Sequence, residues 1–266
     1  MHQQRTGSRR PTLSDNAQSS LVRAMCPRLC AAVLALLSLC CSAQERPLRF
    51  SITESGVMPL VEIRNGEAVG GILYDLPMRL AEKVGRRAEL LVLPRLRVQR
   101  ALLHNEIDVR CYVNPAWLSE TYPQYVWSIP FMVQRDLLVG RTPETVTPEK
   151  LPKQSIGTVL GFYYPTLHPL FMSGQLLRDD GRTQGLVLTK LAAGRYDYAI
   201  SNELALHWYN RHVDQAEKLH QVHELASDLA ACLVRDAPDV PTMQLLRAMV
   251  QMKEDGEFDA ILQRYR

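Results

Sequence analysis

Strand-like runs alternate with amphipathic helical ones along most of this chain, and that alternation constrains the fold more than any other feature. Leu48-Arg49-Phe50-Ser51-Ile52 alternates and reads as a first strand. Val61-Glu62-Ile63 and the turn residues Arg64-Asn65-Gly66-Glu67 follow. Tyr74 to Val84 carries Leu76, Leu80 and Val84 at four-residue spacing and stops at Gly85, which predicts a helix. Ala88 to Leu93 is a strand, Arg97 to His104 a short helix, and Ile107 to Val113 the next strand. Such βαβ order predicts a largely parallel sheet with flanking helices. Val126 to Phe131 and Asp136 to Gly140 read as further strands, and Thr142 to Pro148 as a linker. A second α/β series opens at Ser155-Ile156-Gly157-Thr158-Val159 and runs through Tyr198-Ala199-Ile200. Thr242 to Tyr265 reads as a helix pair broken near Asp255-Gly256. A weak internal echo, Leu103 to Val109 against Leu191 to Tyr198, fits two similar lobes.

The first 43 residues follow different rules. Residues 1–24 are polar and lack an apolar period; Met25-Cys26-Pro27-Arg28 precedes an apolar run from Leu29 to Leu39, and Cys41-Ser42-Ala43 ends it with small residues. That order predicts a secretory signal peptide cleaved near Ala43, with Met25 an alternative start. The run is shorter than the ~20 residues a membrane-spanning helix needs. Leu39 before Cys40 departs from the lipoprotein pattern, so a free periplasmic protein is expected. The leader carries five arginines and one aspartate of the chain's 31 basic and 28 acidic residues, leaving 26 and 27. The mature chain is then near neutral, which removes the electrostatic case for a nucleic-acid partner. Of six cysteines only Cys111 and Cys232 remain after cleavage. Two cysteines in an oxidising compartment allow one disulfide.

Several segments, in order, resemble the bacterial extracellular solute-binding proteins of the polar amino-acid type (family 3). They are Asn65-Gly66 through Asp75-Leu76, Leu102 through Asp108, Trp127-Ser128-Ile129-Pro130-Phe131, and Ile156 through Gly161. Leu191 to Glu203 and the ending Asp255-Gly256 through Tyr265 continue the series. The resemblance implies a periplasmic-binding-protein-like type II fold: two α/β lobes, each a mostly parallel sheet flanked by helices, joined by two crossing strands. Lobe 1 would comprise residues 45–135 and 227–266, and lobe 2 residues 136–226. It further implies a monomer that carries a small solute to an inner-membrane ABC permease, with no cofactor. A sensing module for a membrane signalling partner is an alternative, as is, more remotely, a cyclic-acid dehydratase using Glu54, Glu120 or Glu203. The resemblance also sets Cys111 and Cys232 on neighbouring strands.

The chain departs from the family where amino-acid binders hold their ligand. The arginine that clamps the ligand carboxylate falls at Glu120 or Thr121, and the aspartate that pairs with the ammonium falls at Asn202. A standard α-amino acid is therefore not the expected ligand. Arg95, Arg97 and Arg100 offer cations near the cleft-facing loop, because an arginine fork suits carboxylates. Arg110 lies in an alternating strand, where a charge must be paired or face the cleft. Tyr112, Asn114 and Trp117 follow at that strand's C-terminal end, where open α/β sheets bind ligands. Phe162 and Tyr163 after Gly161 supply flat stacking surface. The expected site is Glu54, Arg95, Arg97, Tyr112, Asn114, Trp117, Phe162, Tyr163 and Asn202, without a metal. Its ligand would be a solute with a flat or apolar part and at least one acidic group. His207, His212, His220 and His223 lack the spacing of a structural zinc site.

Overall fold

The computed structural model describes residues 45–118 and 120–265. The expected signal peptide and cleavage point lie outside the described residues. In the first lobe, β1 (Leu48–Thr53), the short hairpin β2 (Glu62–Arg64) and β3 (Glu67–Gly70), α1 (Ile72–Lys83), β4 (Ala88–Leu93), α2 (Arg95–Leu103), β5 (Val109–Val113) and β6 (Tyr125–Trp127) follow one another. Then β7 (Met132–Gly140) leads into β8 (Gln154–Val159), α3 (His168–Met172), β9 (Leu176–Gly181), α4 (Gln184–Ala192), β10 (Tyr198–Asn202) and α5 (Glu203–Arg211). The long β11 (His220–Arg235) returns to the first lobe, where α6 (Thr242–Glu254) and α7 (Glu257–Gln263) close it.

The strand order is β4-β1-β5-β11-β7-β10-β8-β9, with β6 also on β11. β1 pairs in parallel with β4 and β5, and β8 in parallel with β9 and β10. β7 and β11 are antiparallel to their neighbours and join the two halves. The lobe boundaries expected at 135–136 and 226–227 fall inside these two strands. β7 starts at Met132, so Asp136 sits in the middle of a strand that the sequence places at its start.

Each half has its own apolar interior. Leu48, Phe50, Leu76, Leu80, Val109 and Met249 pack in the first, and Leu137, Val159, Val187, Leu188 and Ala199 in the second. α1 turns Ile72, Leu76, Leu80 and Ala81 inward, one per turn or so, and ends where Gly85 takes φ +67°. α2 buries Val98, Ala101 and Leu102 and starts at Arg95, two residues before the expected helix start. Two further clusters, around Val98, Ile107 and Leu233 and around Leu138, Ile156 and Leu167, lie beside these, and each fully buried Leu or Ile contributes ~1.5–3 kcal/mol.

Beside the first core sits a buried ionic cluster. Asp108 is 0% exposed and holds Arg46 at 2.6 Å, Arg49 at 3.0 Å and Arg235 at 3.0 Å. Burial alone would push its carboxyl up, but hydrogen bonds from Arg46 and Arg49 hold it well below the usual carboxylate range. Asp239 accepts from Arg46 and Arg235 at the cluster's outer edge. The cluster ties the N-terminal segment and β1 to the start of β5 and the end of β11.

Candidate functional site

The site is built on a break in β5. Cys111 is paired with Cys232 and Val113 with Ala231, so Tyr112 is an extra residue bulged out of the ladder. Tyr112 takes φ +60°, a conformation that a bulky side chain adopts only where its surroundings impose it. The bulge puts Tyr112 out of the regular alternation, and Arg110, Cys111 and Tyr112 all line one cavity of about 100 Å3. A regular strand would send neighbours to opposite faces. Cys111 and Cys232 form a disulfide beside the bulge.

The cavity lies between the lobes. The first lobe contributes the end of β1, Arg95, the bulged part of β5 and Trp117. The second contributes Asp136 of β7, Phe162 to Tyr164 after β8, and Asn202 at the end of β10. Gly161, at φ +75°, turns the chain from β8 into this aromatic run. The walls are largely aromatic. Tyr112 and Trp117 have ring centroids 5.8 Å apart, and Phe162 and Tyr164 6.4 Å apart. Tyr163 stays 48% exposed at the rim and meets His168.

The chemistry concentrates at two arginines. Arg110 is only 4% exposed, and no hydrogen bond or ion pair joins it to any described residue. Burial, and then the neighbouring Arg95 guanidinium, lower it to about 9. Arg95 is lowered as well, chiefly by burial. Its Nη2 reaches only the Trp117 carbonyl at 3.4 Å, and its guanidinium lies 5.7 Å from the Phe162 ring centroid. The Nε atoms of both arginines are buried without a partner, and so are the hydroxyls of Ser51 and Ser55 on the same cavity. Buried polar groups are almost always satisfied, and buried charges paired. Two facing cations with spare donors therefore form a receptor for an anion.

Of the residues expected from sequence, the cavity brings together Arg95, Tyr112, Trp117, Phe162, Tyr163 and Asn202. Asn202 is partly committed elsewhere: its Oδ1 accepts from the Ala205 N–H at 2.8 Å and caps α5. Glu54, Arg97 and Asn114 do not line the cavity. Glu54 is exposed just beyond β1, and Arg97 is exposed on the outer side of α2. Asn114 accepts from the Ala116 N–H and donates to the Leu229 carbonyl, holding the turn after β5. Glu120 and Thr121, at the family's clamp position, are exposed and off the cavity. The expected site set omitted Ser51, Ser55, Arg110, Gln134 and Asp136, all of which line it. For Arg110 the signal was present, a charge inside an apolar strand. For Asp136 there was none, because its exposure to the cavity depends on how β7 crosses between lobes. Among the described residues no group of three or more His, Cys, Asp and Glu is placed so that it could hold a metal ion. A larger hollow of about 750 Å3 lies against α1 and α7. There Arg79 pairs with Glu257 and Arg264 with Asp75, so it lacks the unmet charge of the inter-lobe cavity.

No protein-family model matches the chain. No curated protein matches it either. Solved structures do. An ancestral arginine-binding protein bound to arginine superposes with a TM-score of 0.69 at 20% identity, over 84% of this chain and 99% of that one. A histidine kinase sensor domain with similarity to periplasmic binding proteins gives 0.68 at 18% identity, over 84% and 96%. The arginine-, lysine-, histidine-binding protein ArtJ of Geobacillus stearothermophilus gives 0.67 at 15%, over 83% and 95%. These likenesses extend over nearly the whole of each neighbour, and they show that this chain has the mixed α/β, type II periplasmic-binding-protein fold that amino-acid-binding proteins and sensor domains share.

Proposed function

We propose that the protein is an exported solute-binding protein that holds a small carboxylate between its lobes. One observation carries this reading: Arg110, buried, and Arg95, half-buried, line the same cavity, their Nε atoms without a partner and no carboxylate among the described residues pairing with either. A carboxylate accepting from both forks would meet the unmet donors, with the Ser51 and Ser55 hydroxyls available beside it. The cavity, about 100 Å3, is smaller than the ~300–1,000 Å3 usual for ligand pockets, which favours a compact solute. Closure of two lobes on a hinge is a common way to enclose such a ligand. Because Glu120, Thr121 and Asn202 replace the family's clamp, the solute is not held as a standard α-amino acid is in its relatives.

The loaded protein would deliver its solute to an ABC-type importer in the inner membrane. A sensing role for a membrane partner uses the same cavity and differs only in what docks on the closed form; the likeness to a kinase sensor domain favours keeping that reading. The carboxylates weighed for a dehydratase, Glu54, Glu120 and Glu203, all lie off the cavity, and Glu203 is occupied by Arg135 at 3.0 Å. Thermal shift and titration calorimetry against small carboxylates and their neutral amides test the binding reading. Carboxylates should raise the melting temperature by mass action, and their amides should not. Equal shifts from the amides would refute an arginine-held anion.

A further inference from the structure

The rings that wall the inter-lobe cavity have already spent their polar atoms. The Tyr112 hydroxyl donates to Gln134 Oε1, Trp117 Nε1 donates to Asp228 at 3.0 Å, and the Tyr164 hydroxyl accepts from the Val159 N–H at 3.0 Å. Each ring is thereby held by its polar edge, and what it offers the cavity is apolar surface. Phe162 completes the wall, with the Arg95 guanidinium 5.7 Å from its ring centroid. Hydrogen-bonding capacity that the protein does not use lies elsewhere on the lining. Arg95 and Arg110 have buried Nε donors without partners. Asp136 lines the same cavity from β7, and only its Oδ1 is engaged among the described residues, by Gln134 Nε2 at 2.6 Å. No cationic side chain among the described residues pairs with Asp136, and its charged neighbour is a second carboxylate, Asp228, outside the lining.

Two guanidinium charges against one carboxylate leave this lining with one positive charge in excess. A monoanion that is neutral elsewhere balances it, whereas a zwitterion leaves the excess and a dianion reverses it. The neutral remainder must still donate a hydrogen bond, because an ionised carboxylate only accepts. It must also lie against rings, which a flat aromatic group does best through offset or edge-to-face contact. We propose that the solute is a hydroxyaromatic carboxylate, with its carboxylate on Arg95 and Arg110, its ring among Tyr112, Trp117 and Phe162, and its hydroxyl donating to Asp136. The inference rests on the carboxylate-binding reading above and names the rest of the ligand. A hydroxyl brings Asp136 a donor without a second charge, and its bond to a carboxylate is stronger than one between neutral groups. An aromatic acid without the hydroxyl would take water from that carboxylate and return nothing. The compactness of the cavity, about 100 Å3, favours one ring over several.

Titration calorimetry on the exported protein, stripped of endogenous solute, compares 2-, 3- and 4-hydroxybenzoate with benzoate, and 4-hydroxyphenylacetate with phenylacetate. At least one hydroxy acid should bind about tenfold or more tightly than its parent acid, and by a similar factor more tightly than its own methyl ether, whose oxygen cannot donate. Benzoate should in turn bind more tightly than cyclohexanecarboxylate, which lacks a flat face. In Asp136→Ala the preference for the hydroxy acid over its parent should fall below about threefold. That ratio is read within the variant, so a change in affinity common to both acids does not enter it. Equal binding of every hydroxy acid and its parent, or tighter binding of 4-(aminomethyl)benzoate or L-phenylalanine than of any hydroxy acid, would overturn the inference while leaving the carboxylate reading intact. So would cyclohexanecarboxylate binding as tightly as benzoate. Failure of every carboxylate to bind would overturn both. The comparison on the unaltered protein decides the question even if the Asp136→Ala variant folds poorly.

Discussion

Asp108 and Arg110 lie two residues apart, one just before β5 and the other within it, and both are buried charges in opposite circumstances. Asp108 is saturated: three arginines and the Arg49 backbone N–H converge on its two oxygens. Arg110 has no partner, and its neighbour in the cavity is a second cation. A saturated buried charge joins elements of the fold, whereas an unsaturated one costs stability that only a ligand can return. Between the two lies Val109 alone, buried in the core of the first lobe.

The largest effect should come from breaking the saturated side. Asp108→Ala would leave Arg46, Arg49 and Arg235 without their shared acceptor; removing one partner of a buried pair costs ~3–5 kcal/mol, and partial exposure of Arg46 and Arg49 favours the lower end. Urea unfolding should show that loss, with affinity per folded molecule unchanged. A loss below ~1 kcal/mol would mean that the cluster is solvated more than its burial indicates. On the unsaturated side the signs should reverse. Arg110→Met removes an unpaired charge, so the ligand-free melting temperature should hold or rise. Affinity for a carboxylate should fall by about 30-fold or more, the ~2 kcal/mol lower bound for losing a buried charge partner. Arg110→Lys should not restore it, because a lysine lacks the planar fork. A destabilised Arg110→Met protein with normal affinity would make Arg110 a structural residue and end the contrast.

How much of this was legible in sequence follows the same division. Strand and helix order was readable because period-2 and period-3.6 patterns depend on local burial: β4 matches its expected bounds, and the break at Asp255-Gly256 separates α6 from α7. Residues that face the cavity from a loop, such as Trp117 and Phe162, were readable from their position after strands. Asp136 was not, because one register step in β7 decides whether a side chain faces the cavity. The alternation of β5 showed that Arg110 must be paired or face the cleft, but nothing in it announced the bulge at Tyr112. Glu54, Arg97 and Asn114 carry suitable chemistry, but their backbone directions place them elsewhere.

A smaller effect should come from Asp136, and it carries a sign in pH. Its surroundings are Gln134 on its own strand, Tyr112 from β5, Asp228 from β11, Tyr164 from the loop after β8 and Asn202 from β10. Its folded value of about 6 lies above the ordinary carboxyl value of 3.8, so the empty protein gains stability from the neutral form. That stability is fully present below the ordinary value and is lost as pH rises through about 6, by ~3 kcal/mol. Asp136→Asn should abolish this decline and raise the melting temperature at pH 7.5 but not at pH 4. A flat stability profile in the unaltered protein would show that Asp136 is solvated.

The smallest effect sharpens the contrast most. Arg97 and Arg95 belong to the same helix, but residues two apart on a helix do not share a face. Arg95 turns to the cavity and Arg97 to solvent. Arg97→Ala should change stability by less than ~0.5 kcal/mol and leave carboxylate affinity unchanged at physiological salt. If instead it weakened binding as Arg110→Met does, the anion would be held by a diffuse positive field around α2 rather than by two buried forks. Raising the ionic strength separates the two: a diffuse field fades over a Debye length of ~8 Å at 0.15 M salt, whereas bonds inside a closed cavity are screened far less.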